Sequence, residues 1–152
     1  MISVERAEPT DAHVLSATSV LAFEDDVNYG APPPPGGPPG YDSPDWHEQA
    51  FRWGHVYRIA EDGVVVGGAI LIPRGADAME LGRVWLVPEA QGRGLGRQVM
   101  TRLEELYPAV RRWGLETPPW NWRTQAFYAA CGYTEVRRTA DDVFFAKEIP
   151  GA

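Results

Sequence analysis

The sequence predicts an α/β (α+β) domain, a mixed and mainly antiparallel sheet of six to seven strands flanked by about four helices. Three observations carry this. Strand-like and helix-like patterns interleave along the chain without any internal repeat. Two apolar runs are joined by the two-residue turn Asp62-Gly63, which makes a hairpin. A glycine-rich turn, Gly92–Gly96, then leads from a strand straight into an amphipathic helix. A length of 152 residues with 44% hydrophobic content suits one core-bearing domain, and residues 1–152 are expected to form it.

The elements follow in order. "ISVERA" sets Ile2, Val4 and, weakly, Arg6 against polar neighbours, the period of a first strand. "PTDAHVLSATSVLAF" places Val14, Leu15, Thr18, Leu21 and Ala22 at helical spacing, with Thr10 or Asp11 as N-cap. A Pro/Gly-rich insertion over 24–42 separates this helix from a short second one. That helix opens with Ser43 as cap and Pro44 at its first position, with Trp46, Ala50 and Phe51 turned inward. "HVYRIAEDGVVVGGAILIPRG" is the hairpin, and "MELGRVWLVP" the fourth strand, ended by Pro88. Leu95, Val99, Leu103 and Leu106 recur at steps of four and three along a third helix, which Pro108 stops. "RRWGLET" is a short strand. "NWRTQAFYAACGY" is a fourth helix, capped by Asn121 and stopped at Gly132, and "TEVRRTADDVFFAKEI" supplies the last two strands.

Charge narrows the function. The chain carries −7 overall. Residues 1–80 hold four basic and thirteen acidic groups (−9), and residues 81–152 hold ten and eight (+2). Nucleic acid is not an expected partner, because phosphate binding needs clustered cations. A cationic small molecule is compatible with the acidic half. No run of about 18 apolar residues is present, so no membrane partner is expected. The N-terminal stretch lacks the basic start and apolar core of a signal peptide. One cysteine, Cys131, excludes an internal disulfide and fits a reducing, cytoplasmic setting. No two histidines have metal-ligand spacing with a carboxylate or cysteine, so no metal is expected.

"VWLVPEAQGRGLGRQVM" carries the chemistry. Backbone N–H groups of Gly92, Arg93, Gly94, Leu95 and Gly96 can converge on an anion at a helix N-terminus, and Arg93 and Arg97 add positive charge. A dinucleotide fingerprint fails on spacing, since Gly94 plus three is Arg97, and no Walker lysine follows. Gln91-Gly92-Arg93-Gly94-Leu95-Gly96 resembles the Q/R-x-x-G-x-G/A signature of the GNAT superfamily of N-acetyltransferases. Downstream, Asn121, Tyr128 and Gly132-Tyr133 are similar to that family's second recurring pattern. The order of elements matches over nearly the whole chain.

The resemblance implies an acetyl-CoA-dependent N-acetyltransferase acting by direct attack of an amine in a ternary complex. A non-catalytic acyl-CoA-binding sensor on the same fold is the alternative, and a larger acyl group stays open. By resemblance, backbone groups of Leu86 and Val87 pair with pantetheine, Gln91–Gly96 hold the pyrophosphate, and Asn121 lies near the pantetheine arm. Tyr128 matches the family position that protonates the departing thiolate. Glu80 stands where some members carry a base, and if alternation holds it shares a face with Gly82, Val84 and Leu86. His47 and His55 are further candidates for the base. The acceptor is expected between the first two helices, where Asp25, Asp26, Tyr29, Tyr41 and Asp42 suit a small, cationic primary amine or a peptide amine. The Pro/Gly stretch reads there as a semi-rigid flap that delivers Tyr41 and Asp42. Family members often form homodimers, and the last strands could pair in one.

Overall fold

The computed structural model describes residues 1–151. The chain runs β1 (Ile2–Arg6), α1 (Ala12–Glu24), α2 (Pro44–Gln49), β2 (His55–Glu61), β3 (Val64–Pro73), β4 (Ala78–Leu86), α3 (Leu95–Leu106), β5 (Arg112–Thr117), α4 (Trp122–Ala130), β6 (Thr134–Arg138) and β7 (Val143–Glu148). This is the order expected from the sequence. The strands form one seven-stranded sheet, β1-β2-β3-β4-β5-β7-β6. Every neighbouring pair is antiparallel except β4 and β5.

Each face of the sheet buries its own cluster. Under α3 and α4 lie Ile59, Leu71, Leu81, Leu86, Val99, Leu103, Trp113, Leu115, Tyr128 and Phe145. Under α1 and α2 lie Leu15, Ala22, Ala50, Val56, Ile70 and Trp85. The Trp85 indole N–H donates to Thr18 Oγ1 at 3.0 Å, which satisfies a polar group that burial would otherwise penalise. Trp85 thus faces away from α3, as its strand position suggests.

Two helix faces differ from the sequence expectation. In α1, Leu15, Thr18 and Ala22 turn inward as expected, but Ser16 and Ser19 are buried with them while Val14 and Leu21 are exposed. Around Leu15, the inward stripe of α1 is made of small residues that let the helix sit close to the sheet and to α2. In α3, Met100 is buried in place of Leu106, which lies exposed in the last turn. The caps hold as expected for α2 and α4, where Ser43 Oγ accepts from Trp46 N and Asn121 Oδ1 accepts from Thr124 N, each at 3.1 Å. At α1 the expected cap, Asp11, instead closes a reciprocal box with Glu8 around the 3-10 turn Pro9–Asp11.

Two departures in β4 shape the site. Its parallel pairing with β5 covers only Ala78↔Arg112, Met79↔Trp113 and Glu80↔Gly114, after which the strands part. Its register with β3 also slips. Leu71 faces Leu81, but Ile70 faces Arg83, so Gly82 is the extra residue of a bulge. Alternation therefore inverts at Gly82. Leu81 and Leu86 face α3 and α4, whereas Arg83, opposite Ile70, and Trp85 face α1 and α2. Glu80, one residue before Leu81, belongs to that second face as well. The expectation that Glu80, Val84 and Leu86 share one face fails for this reason.

Candidate active site

The opening between β4 and β5 has a turn at its mouth. Pro88–Ala90 forms a 3-10 turn, and Gly92 and Gly94 take φ of +75° and +77°, a region in which a side chain would be strained. Gly94 is the N-terminal boundary of α3, and no side chain caps that end. The first-turn N–H groups of Leu95, Gly96 and Arg97 stay available for an anion. Arg97 is exposed and makes no hydrogen bond or ion pair among the described residues. Arg93 is different. Its guanidinium grips the Glu61 carboxylate with two bonds of 2.8 Å, so its charge is already compensated. Of the two arginines expected to serve the turn, Arg97 is free to do so.

The strand residues also divide. Val87 N–H donates to Val66 O at 2.8 Å, and its carbonyl accepts from Ala90 N at 2.9 Å. Val87 thus spends its backbone groups on β3 and the turn, which corrects the expectation that they pair with pantetheine beside those of Leu86. Leu86, the preceding residue, points its backbone to the other edge, toward β5. Its carbonyl accepts from Gln91 Nε2 at 2.8 Å.

Gln91 leads to a residue that the sequence reading missed. Arg123 Nη1 donates to Gln91 Oε1 at 3.0 Å, and Nη2 donates to Asp26 Oδ1 at 3.1 Å. The same guanidinium lies 3.5 Å from the Tyr29 ring centroid. Arg123 therefore ties the 3-10 turn Asp25–Tyr29, which follows α1, to the turn before α3. Burial raises the Asp26 carboxyl above its ordinary range, against the pull of Arg123. Asp25 bonds locally, its Oδ1 accepting from Asn28 Nδ2 at 3.0 Å. Arg123 stands two residues beyond Asn121. Its role depends on partners 32 and 97 positions away in sequence, which no local pattern reveals.

Tyr128 is 9% exposed and packs against Phe127, Tyr133 and Phe145. Its hydroxyl has no hydrogen-bond partner among the described residues. Burial holds the phenol well above its ordinary range, with Cys131 and Asp26 adding to the shift. Tyr128 therefore keeps its proton at neutral pH. Cys131, partly buried at the end of α4, packs against the same cluster, and burial raises its thiol too.

The opposite face of the opening carries the carboxylates. Glu80 Oε1 accepts from Arg74 Nε at 2.8 Å. Glu116 on β5 lies on the same face, exposed, with neither a hydrogen bond nor an ion pair to a basic group among the described residues. Its carboxyl sits above the ordinary range through partial burial first, then through the charges of Asp142 and Glu80. The sequence reading passed over Glu116, because the charges that perturb it come from β4 and from the turn between β6 and β7. His55 lies on β2 within bonding distance of Arg6, and His47 is fully buried in α2. Burial lowers both rings below the ordinary imidazole range.

The Pro/Gly stretch is seated on the α1/α2 face. The Tyr41 hydroxyl donates to Glu24 Oε2 at 2.8 Å, and its ring packs edge-on against Phe23. Tyr41 thereby fastens the stretch to α1. Asp42 is exposed. Gly40 has φ +81°, and a Cβ there would fall 2.1 Å from Trp46 Cγ, so the chain can press onto the indole only as glycine. No group of three or more His, Cys, Asp or Glu stands ready to hold a metal among the described residues. No helix of the described residues is long and apolar enough to cross a membrane.

A model of the Acetyltransferase (GNAT) family matches residues 25–133, more than half of the chain. The chain belongs to the GNAT acetyltransferase family. Solved structures share its fold at low identity. An acetyltransferase from Thermus thermophilus aligns with TM-score 0.80 and 20% identity over 98% of this chain and 97% of that one. The PaiA N-acetyltransferase of Thermoplasma acidophilum, solved in complex with coenzyme A, gives 0.76 and 14% over 98% and 99%. The ribosomal-protein-S18-alanine N-acetyltransferase of Escherichia coli gives 0.69 and 21% over 100% and 96%. Membership of this family supports an acyltransferase.

Proposed function

We propose that the chain, as one GNAT domain over residues 1–152, is an acetyl-CoA-dependent N-acetyltransferase. It moves the acetyl group onto a primary amine of a small acceptor, by direct attack in a ternary complex. The observation that carries this is the parting of β4 from β5 beyond Glu80↔Gly114. An uncapped helix start follows β4, and Tyr128, packed in the core cluster with Leu86 and Leu115, is the acid this reading assigns to that opening.

The residues present fit acetyl-CoA. The N–H groups of the turn Gly92–Gly96, with Arg97 beside them, suit a pyrophosphate, and the outward edge of Leu86 suits an amide-bearing arm. Asn121 orients the start of α4 along that arm. Bound there, acetyl-CoA supplies an acyl thioester. The chain's residues then divide the proton work. An alkyl ammonium must lose a proton before its nitrogen can attack, and a carboxylate on the α1/α2 face takes it, directly or through water. Glu80 is the carboxylate expected for this. Glu116 fits better, since its carboxyl is raised despite the opposing charge of Arg137 and no ion pair ties it up, whereas Arg74 holds Glu80. As the C–N bond forms and the C–S bond breaks, Tyr128 gives its proton to the sulfur. Asp26 and Tyr29, held by Arg123, wall the acceptor side.

Thiol release from acetyl-CoA across a panel of amines and peptides tests this reading. An N-acetylated product formed with stoichiometric thiol supports it. Binding of acetyl-CoA without thiol release on any amine would favour the non-catalytic sensor.

A further inference from the structure

The layer between the sheet and α1/α2 contains a cation with no counter-charge. Arg83 projects from β4 into this layer, three residues beyond Glu80 and past the bulge. Its guanidinium lies 4.0 Å from the Trp46 ring centroid, and Nη2 donates to the carbonyl of Pro39 in the Pro/Gly stretch. Nη1 is shut away from solvent and has no partner among the described residues. No carboxylate among the described residues forms an ion pair with Arg83, although eight other basic side chains or termini do form one. Burial with nothing to offset it pushes the guanidinium down to about 10, so it remains charged at neutral pH.

Its surroundings add to the mismatch. Ser19 Oγ on α1 and His47 Nε2 on α2, in the same layer, are also buried without partners. His47 Nδ1 lies 2.7 Å from the Ser43 carbonyl, which can only accept, so the ring proton sits on Nδ1. Burial and the charge of Arg83 both keep that ring neutral, which leaves Arg83 as the cation of the layer. Glu24, at the start of the covering segment, is bonded to Tyr41. A half-buried cation with one N–H edge shut away and no anion is costly, and one that stands on the acceptor side of the opening is poised to regain that cost from a ligand.

We propose that Arg83 binds a carboxylate of the acceptor, so that the acceptor is an amino acid or peptide-like zwitterion. This rests on the transferase reading above and sharpens its substrate class. The amine faces Glu80 and Glu116 at the parting of the strands, and the carboxylate takes the guanidinium edge now bonded to Pro39. The planar fork suits a carboxylate through two parallel bonds, and Trp46 fixes its plane. The Pro/Gly stretch then serves as the cover of this subsite, with the Pro39 carbonyl holding the place of a carboxylate oxygen.

The test uses the full chain with saturating acetyl-CoA and acceptors in matched pairs, amino acids and dipeptides as free acids against their C-terminal amides. Ethanolamine against phosphoethanolamine forms a further pair. Acids are expected to exceed amides at least tenfold in kcat/KM. Arg83→Gln should bring the ratio near one while stabilisation by acetyl-CoA is kept, and Arg83→Lys should keep part of the preference. Equal turnover of acids and amides, as a buried water on Arg83 would give, overturns the proposal, and so does an unchanged preference in Arg83→Gln. Preference for phosphoethanolamine alone would replace the carboxylate by a phosphate and overturn it too. If no amine releases thiol, the transferase reading fails separately. Calorimetric titration of the CoA-bound protein with the same acids and amides then decides Arg83, tighter binding of acids supporting it and equal binding refuting it.

Discussion

Tyr128→Phe separates chemistry from architecture more cleanly than any other change in this protein. The substitution removes one oxygen and keeps the ring against Phe127, Tyr133 and Phe145. The hydroxyl bonds nothing among the described residues, so no partner is left unsatisfied by its loss. Stability should change by no more than about 0.5 kcal/mol, and the thermal midpoint should stay close to that of the wild type. Acetyl-CoA affinity should also hold, because the turn, Leu86 and Arg97 are untouched. Turnover should not. A positioned general acid contributes roughly 10²–10⁴ in rate, which is about 3–5 kcal/mol of barrier. The assay is thiol release at saturating acetyl-CoA, read together with the thermal midpoint. A protein of wild-type stability with wild-type kcat would remove Tyr128 from the reaction.

Further outcomes follow from the same geometry. Arg123→Gln strips Asp26, which is 14% exposed, of its cation, and should cost about 1–3 kcal/mol by calorimetry with a rise in both substrate KM values; a wild-type midpoint would show the bridge to be idle. Gly40→Ala meets φ +81° and the Trp46 ring, and should cost about 1–2 kcal/mol. In displacing the indole from Arg83 it should raise acceptor KM and spare acetyl-CoA affinity, as titrations of each substrate would report. Turnover should rise with pH through the Glu116 carboxyl, which lies above the ordinary carboxylate range. Glu116→Gln should lower kcat and flatten that limb in a pH–rate profile. For stability the sign is opposite. A raised carboxyl contributes stability that is present below its unfolded value and lost as pH rises through the folded one, so Glu116→Gln should be no less stable than wild type at neutral pH.

Local signals carried most of the fold. Asp62-Gly63 marked the hairpin, Ser43-Pro44 and Asn121 marked helix starts, and the glycines at 92, 94 and 96 marked the turn, because each acts through its own backbone or a neighbour three residues away. The site was less legible for a single physical reason. Its electrostatics are made by residues far apart in sequence. Arg123 reads as an ordinary helix residue until Gln91 and Asp26 meet it. Glu116 reads as a strand carboxylate until Glu80 and Asp142 approach. Glu80 itself was assigned to the wrong face because alternation cannot foresee the bulge at Gly82. His47 read as a candidate base, and the burial given to it by α1 and Trp85 is tertiary. The Pro/Gly stretch showed its composition but not its contacts. Tyr41, expected to meet the acceptor, is fastened to Glu24, and the backbone of Pro39, not a side chain, reaches the cation of the layer.

The central claim is that an amine and an acyl thioester meet in the opening between β4 and β5, with Tyr128 and a carboxylate moving the protons. Its most direct measurement pairs thiol release with mass-spectrometric detection of the acetylated amine, for wild type, Tyr128→Phe and Glu116→Gln side by side. The account predicts equal amounts of thiol and N-acetyl product in wild type, with both falling together by at least a hundredfold in Tyr128→Phe and falling in Glu116→Gln. Thiol and product at wild-type rates in both variants, or acetyl-CoA bound and never consumed, would contradict it.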